Sequence, residues 1–126
     1  MNTFANKVAI VTGAGQGIGK AIAQAFSHHE VQVIIAEKDE EAGREAARWI
    51  SDKGGEATFI PCDVADEGSV RDMIAQVAEQ QGRIDFLVNN AGVSRFKPIH
   101  ELSLAEFDEI LAINLRSVFV CSKYAV

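Results

Sequence analysis

Apolar residues in this chain come in short unbroken runs, each followed by a longer stretch with a helical period. Val-Ala-Ile-Val fills residues 8–11, Val-Ile-Ile-Ala residues 33–36 and Phe-Leu-Val residues 86–88. Runs that do not alternate with polar residues imply strands buried on both faces, as in a parallel sheet covered by helices. Strands are predicted over residues 7–11, 31–36, 57–60 and 84–88. Helices are predicted over about residues 17–29 and 39–53, from just after Asp66 to Gly82, and from Ser103 to the end of the chain. Asp39 is a good N-cap and Gly54-Gly55 a good stop, while Ser103 with Glu106 forms a capping box. The third helix shows an apolar stripe at Val70, Met73, Ile74, Val77 and Ala78. Only residues 96–102, which hold Pro98, read as a substantial loop. Right-handed crossovers then give an α/β fold: one domain over residues 1–126, built on a three-layer, doubly wound parallel sheet of about four strands ordered 3-2-1-4.

Composition narrows the function. The chain has 126 residues, is 48% hydrophobic and carries a net charge of -6. No basic stretch exceeds two residues, so a nucleic-acid surface is not expected. No apolar run approaches the ~18 residues that span a bilayer, and the first residues lack the pattern of a secretory leader. Cys62 and Cys121 are far apart and read as free, buried thiols in a reducing compartment, which points to the cytoplasm. His28, His29 and His100 have no metal-ligand spacing, and no metal is expected.

The most specific chemistry lies where the first run meets the first helix: Thr12-Gly-Ala-Gly-Gln-Gly-Ile-Gly19. A strand, a glycine-rich turn and a helix start make a phosphate cradle, because the first helical N–H groups are unpaired and the helix dipole is positive there. The general dinucleotide spacing G-x-G-x-x-G fails: from Gly13 the last position is Ile18, and from Gly15 it is Lys20. The spacing present is T-G-x-x-x-G-x-G. It resembles the short-chain dehydrogenase/reductase family, as do Asp63-Val64 after the third strand, Asn89-Asn90-Ala91-Gly92 after the fourth, and Ile113-Asn114-Leu115 in the last helix. The landmarks occur in the family's order and cover essentially the whole chain.

That resemblance implies a Rossmann-type fold and a set of roles. Gly13 makes the tight turn, Gly17 admits the pyrophosphate, Gln16 and Ile18 offer backbone N–H groups to it, and Gly19 lets the helix pack on the sheet. Asp63 and Val64 flank the adenine, and Asn90, Ala91 and Gly92 line the nicotinamide-side ribose. Asn114 is implied in a water-linked proton relay, the alternative being an exposed helix residue without a role. Glu37, at the end of the second strand, can accept from an adenosine ribose hydroxyl and would repel a 2′-phosphate. NAD is therefore expected over NADP, although the adjacent Lys38 could pair with such a phosphate.

The family's chemistry also needs a Ser and a Tyr-x-x-x-Lys pair. The sole tyrosine, Tyr124, has the wrong context and reads as a helix residue. The expectation is thus the N-terminal, dinucleotide-binding half of an oxidoreductase, with an alcohol or ketone substrate only in a complete enzyme and no turnover by this chain alone. A bare edge on the fourth strand and the last helix would favour a homo-oligomer. The alternative is a non-catalytic nucleotide-binding or assembly fragment. A methyl-donor-dependent transferase is disfavoured, since Thr12 stands where such enzymes commonly carry an acid.

Overall fold

A computed structural model describes residues 2–126. The four apolar runs form β1 (Val8–Thr12), β2 (Gln32–Glu37), β3 (Glu56–Pro61) and β4 (Phe86–Val88), in one sheet of order β3-β2-β1-β4. All pairings are parallel, with Ile10 opposite Ile34 on one side and Leu87 on the other. Successive residues of β1 enter different cores, which is why its run does not alternate. Val8 and Ile10 join Ile34, Ile60, Met73 and Val77 on one face. Ala9 and Val11 join Val33, Ile35, Ala46 and Ile50 on the other.

Helices α1 (Gly17–Ser27) and α2 (Glu40–Asp52) cover the second face, while α3 (Glu67–Gln81) and α5 (Ser117–Ala125) cover the first. The predicted stops and starts hold. Asp39 accepts from Ala42 N–H, Asp66 caps α3, and Gly82 closes α3 in the left-handed region at φ 73°. At α4 (Leu104–Leu111) the Ser103 and Glu106 side chains each accept from the other's backbone N–H. On α2, a Cβ added at Gly43 would overlap the Phe59 ring, so this glycine sets how closely helix and sheet approach.

Beyond shifts of one or two residues at β1, β2 and α1, three differences from expectation have a visible cause. β4 starts two residues late: Asp85 still donates its backbone N–H to the Val8 carbonyl at 2.9 Å, but its carboxylate takes the Val8 N–H at 2.9 Å in place of a backbone carbonyl, along with two Arg83 bonds at 2.7 and 2.8 Å. The Arg83 guanidinium first, and then the Val8 amide, hold the Asp85 carboxyl down at about 2. β3 runs on to Pro61, which an edge strand tolerates because no partner needs its missing N–H. The last helix is not uniform: α4 and α5 are joined by a wider π-helical turn, Ala112–Arg116, and the Ser117 hydroxyl donates to the Ile113 carbonyl beside it. Within residues 96–102 a short 3-10 turn forms at Ile99–Glu101. No helix among the described residues is long and apolar enough to cross a membrane.

Candidate dinucleotide-binding site

A cleft of about 300 Å³ opens beyond the carboxyl ends of the strands, lined by Gly13, Gln16, Glu37, Asp63, Asn90 and Ile113 among others. It lies where the chain changes direction across the sheet, with β2 on one side of β1 and β4 on the other. Doubly wound sheets bind ligands at such switch points.

The Gly-rich loop forms one wall. Gly13 and Gly17 sit in the left-handed region at φ 64° and 60°. A Cβ at Gly17 would meet nothing within 4 Å, so this position faces open space. At Gly13 a Cβ would come within 2.9 Å of the Ala91 Cα, and at Gly19 it would overlap the Asn90 amide and lie 2.5 Å from the Gly13 carbonyl. These glycines thus serve close backbone approach. Gln16 occupies the N-cap of α1 without a side-chain cap bond, and the first turn carries no acid. The leading N–H groups, at Gly17, Ile18 and Gly19, are left for another acceptor. Helices α2, α3 and α4, by contrast, all have a capping side chain. Gln16, Gly17 and Ile18 are exposed. Such a bare helix start with glycines before it fits a pyrophosphate.

Thr12 ties the two halves of the cleft together. It is 1% exposed, and its hydroxyl oxygen accepts from the N–H groups of Asn90 and Ala91, both at 3.0 Å. The Asn90 side-chain amide returns a bond to the Gly13 carbonyl at 3.2 Å. Sequence reasoning assigned no role to Thr12. The signal was available, since a hydroxyl residue directly before the tight turn ends a fully buried strand and needs a partner.

At the opposite end Glu37 is half-buried. Its carboxylate accepts from Gly15 N–H at 3.0 Å, Lys38 N–H at 2.9 Å and Asp39 N–H at 3.2 Å. The Lys38 ammonium turns to the Asp63 carboxylate, 3.7 Å away. Asp63 also accepts from Ala65 N–H at 3.0 Å, and Val64 is buried beside it. Cys62, next in line, is a buried thiol pushed up to about 12, chiefly by burial, and stays protonated.

Asn114 lies within the π-helical turn, and its amide grips the Val93 backbone both ways: Val93 N–H donates to it and it donates to the Val93 carbonyl, each at 2.7 Å. A Cβ at Gly92 would rest 3.4 Å from the same amide. Asn114 therefore fixes the loop carrying Asn90, Ala91 and Gly92, which a lone Asn in a helical pattern does not announce. Asn89 faces elsewhere, into a hollow with Phe86, Ser122 and Ala125. Tyr124 is absent from the cleft lining, and its hydroxyl donates to Glu67 at 2.7 Å. That bond to a carboxylate raises the phenol's pKa.

Comparison with known proteins matches this geometry. The family model for short chain dehydrogenase covers residues 7–126. An oxidoreductase of Thermotoga maritima, itself uncharacterised, is 48% identical over 118 residues, 94% of this chain and 46% of the relative. The D-threitol dehydrogenase of Mycolicibacterium smegmatis is 43% identical over 114 residues, 90% of this chain and 44% of the relative. The chain thus spans about half the length of the curated relatives it matches. Among solved structures, a short-chain type dehydrogenase/reductase from Mycobacterium marinum superposes with a TM-score of 0.93 at 35% identity, covering 97% of this chain and 49% of that one. A metagenomic short-chain oxidoreductase in complex with NADP gives 0.92 at 36%, covering 96% and 55%. With the motifs, the sheet order and the cleft all in agreement, the chain belongs to the short-chain dehydrogenase family.

Proposed function

We propose that this chain is the dinucleotide-binding half of an NAD-dependent oxidoreductase acting on an alcohol or ketone. The observation that carries the reading is the uncapped start of α1, opening on a cleft that has the Glu37 carboxylate at its other end. Gly17 admits the pyrophosphate, the N–H groups of Gln16 and Ile18 face it, and Gly19 keeps α1 close to the sheet. Glu37 accepts from the adenosine ribose, Asp63 and Val64 border the adenine, and Asn90, Ala91 and Gly92 border the second ribose. The bound nicotinamide supplies the hydride acceptor or donor. Asn114 positions the Gly92–Val93 segment on which that end rests. Lys38, whose ammonium lies 3.7 Å from the Asp63 carboxylate, is the residue here that could pair with a 2′-phosphate, and Glu37 outweighs it in this reading.

The chain on its own is expected to bind dinucleotide without turning over an alcohol. Its one tyrosine is tied to Glu67, which raises rather than lowers the phenol's pKa. Self-association is part of the same proposal, supported by Leu104, Phe107, Leu111, Leu115 and Phe119, all exposed along α4, the π-helical turn and α5. Buried free thiols at Cys62 and Cys121 suit the cytoplasm. The deciding experiment is titration with NADH and NADPH followed by nicotinamide fluorescence. Tighter NADH binding, with the gap narrowed by Glu37→Ser, supports the reading, whereas tighter NADPH binding by the unmodified chain refutes the assignment of Glu37. Light scattering that returns a 13.6 kDa monomer refutes the self-association.

A further inference from the structure

We propose that Glu37 is also a positioning residue: its carboxylate latches the Gly-rich loop through Gly15 N–H, so that ribose recognition and pyrophosphate recognition are coupled. The coupling rests on the cofactor reading above; the latch itself does not.

Gly15 is the one glycine of the loop that neither the motif nor the backbone explains. It is not one of the motif glycines Gly13, Gly17 and Gly19, and it is absent from the residues at positive φ. What requires a glycine is Glu37: a Cβ at position 15 would lie 2.7 Å from Oε1 and 2.8 Å from Cγ of that side chain. Ala42 closes the remaining space at 3.0 Å. Gly15 is buried, so its N–H needs an acceptor, and Glu37 Oε1 supplies it from a residue 22 positions later.

The other carboxylate oxygen takes Lys38 N–H and Asp39 N–H, at the entry to α2. A carboxylate offers about four acceptor positions, and three are filled by these amides. One is left for a ribose hydroxyl. Glu37 thus holds two segments at once, the Gly-rich loop and the start of α2, and keeps one acceptor position for the ribose. Without the carboxylate the loop loses its only side-chain anchor at Gly15, and the N–H groups that face the pyrophosphate lose their fixed placement.

The test compares the unmodified chain with Glu37→Ala and Glu37→Asp, the latter keeping the charge on a stem one methylene shorter. Amide hydrogen exchange on the ligand-free proteins reads the latch directly. The Gly15 amide is expected to exchange roughly tenfold or more faster in both variants, as for a lost hydrogen bond to a charged group, while Ile10 and Ile34 in the core stay protected. Unchanged protection of Gly15 overturns the latch. The coupling is read by calorimetry with ADP and with 2′,3′-dideoxy-ADP, which lacks the hydroxyls Glu37 would hold. If the latch positions the loop, both ligands weaken in both variants. If Glu37 serves only as a ribose acceptor, dideoxy-ADP binds the variants as well as it binds the unmodified chain, and the coupling is overturned. Failure of the unmodified chain to bind either ligand overturns the cofactor reading and the coupling with it; the exchange result still decides the latch.

Discussion

Replacing Thr12 with Val removes one oxygen atom and should unsettle both sides of the cleft. The two side chains have nearly the same volume, so no cavity forms, but the Asn90 and Ala91 N–H groups lose their common acceptor at 3.0 Å. Each hydrogen bond contributes about 1 kcal/mol net, and a buried donor left unpaired costs up to about 3. Asn90 N–H keeps the Val88 carbonyl at 3.1 Å, and both residues are half-buried so that water recovers part of the loss; the lower figure applies to each. The Thr12 bond to the Val88 carbonyl, at 3.4 Å, is too long to add much. The expected loss is about 2 kcal/mol. At a urea slope of roughly 2 kcal/mol/M, the midpoint drops by about 1 M. Thr12→Ser is the control: it deletes a buried methyl group, worth about 1 kcal/mol, but keeps the hydroxyl. Val should therefore be worse than Ser, the reverse of what hydrophobic packing alone predicts. A Thr12→Val protein within about 0.5 kcal/mol of the unmodified chain, or a Ser variant that loses as much, would refute the role given to the hydroxyl.

Other perturbations separate the site from the scaffold. Gly17→Val should keep the fold, since nothing lies within 4 Å of the new Cβ, at a cost of about 1–2 kcal/mol for its positive φ; calorimetry should show dinucleotide binding lost, and unchanged affinity would refute the cradle. Gly43→Ala gains about 1 kcal/mol of helix propensity but drives a methyl group into the Phe59 ring, and overpacking costs about 1–3, so a lower melting temperature is expected and a higher one would show that the ring can move. Asp85 has its folded pKa depressed from 3.8 to about 2, so its contribution is complete above pH 4 and disappears as the pH falls through about 2. Denaturation midpoints measured from pH 5 to 2 should fall less steeply for Asp85→Asn, and parallel curves would remove Asp85 from the account.

The fold was largely legible because the strongest signals are local and repeated. An unbroken apolar run signals a strand covered on both faces, and Asp39, Gly54, Gly82 and the Ser103–Glu106 pair punctuate the chain as their backbone chemistry requires. The glycine spacing located the cleft for the same reason. What stayed hidden depends on pairing across long separations. Thr12 meets Asn90 and Ala91 only after β1 and β4 align, and Glu37 meets Gly15 only after β2 lies beside β1. The strand begins at Phe86 rather than Ile84 because the Asp85 carboxylate takes the Val8 N–H that a backbone carbonyl would otherwise accept. In the last helix, Asn114 meets the Val93 backbone, 21 residues away in sequence, which no local pattern shows.

The order β3-β2-β1-β4 also sets the two pairings of β1 apart by the length of chain each must close. Joining β1 to β2 brings together groups such as Gly15 and Glu37, 22 residues apart, whereas joining β1 to β4 brings together Val8 and Asp85, 77 residues apart. Chain closure over the longer span costs about 1 kcal/mol more in entropy. The return is also smaller, since β4 has three residues, all half-buried, against six in β2, four of them buried. Local opening should therefore start at β4 and spread to the segment bearing Asn90, Ala91 and Gly92, while the Gly-rich loop and Glu37 remain in place. Under the proposed cofactor reading, the half bearing Glu37 would be the standing half and the half bearing Asn90 the breathing half. A dinucleotide entering by its adenosine end would act as a splint, and its grip on the second half would be drawn from the stability of β4 itself.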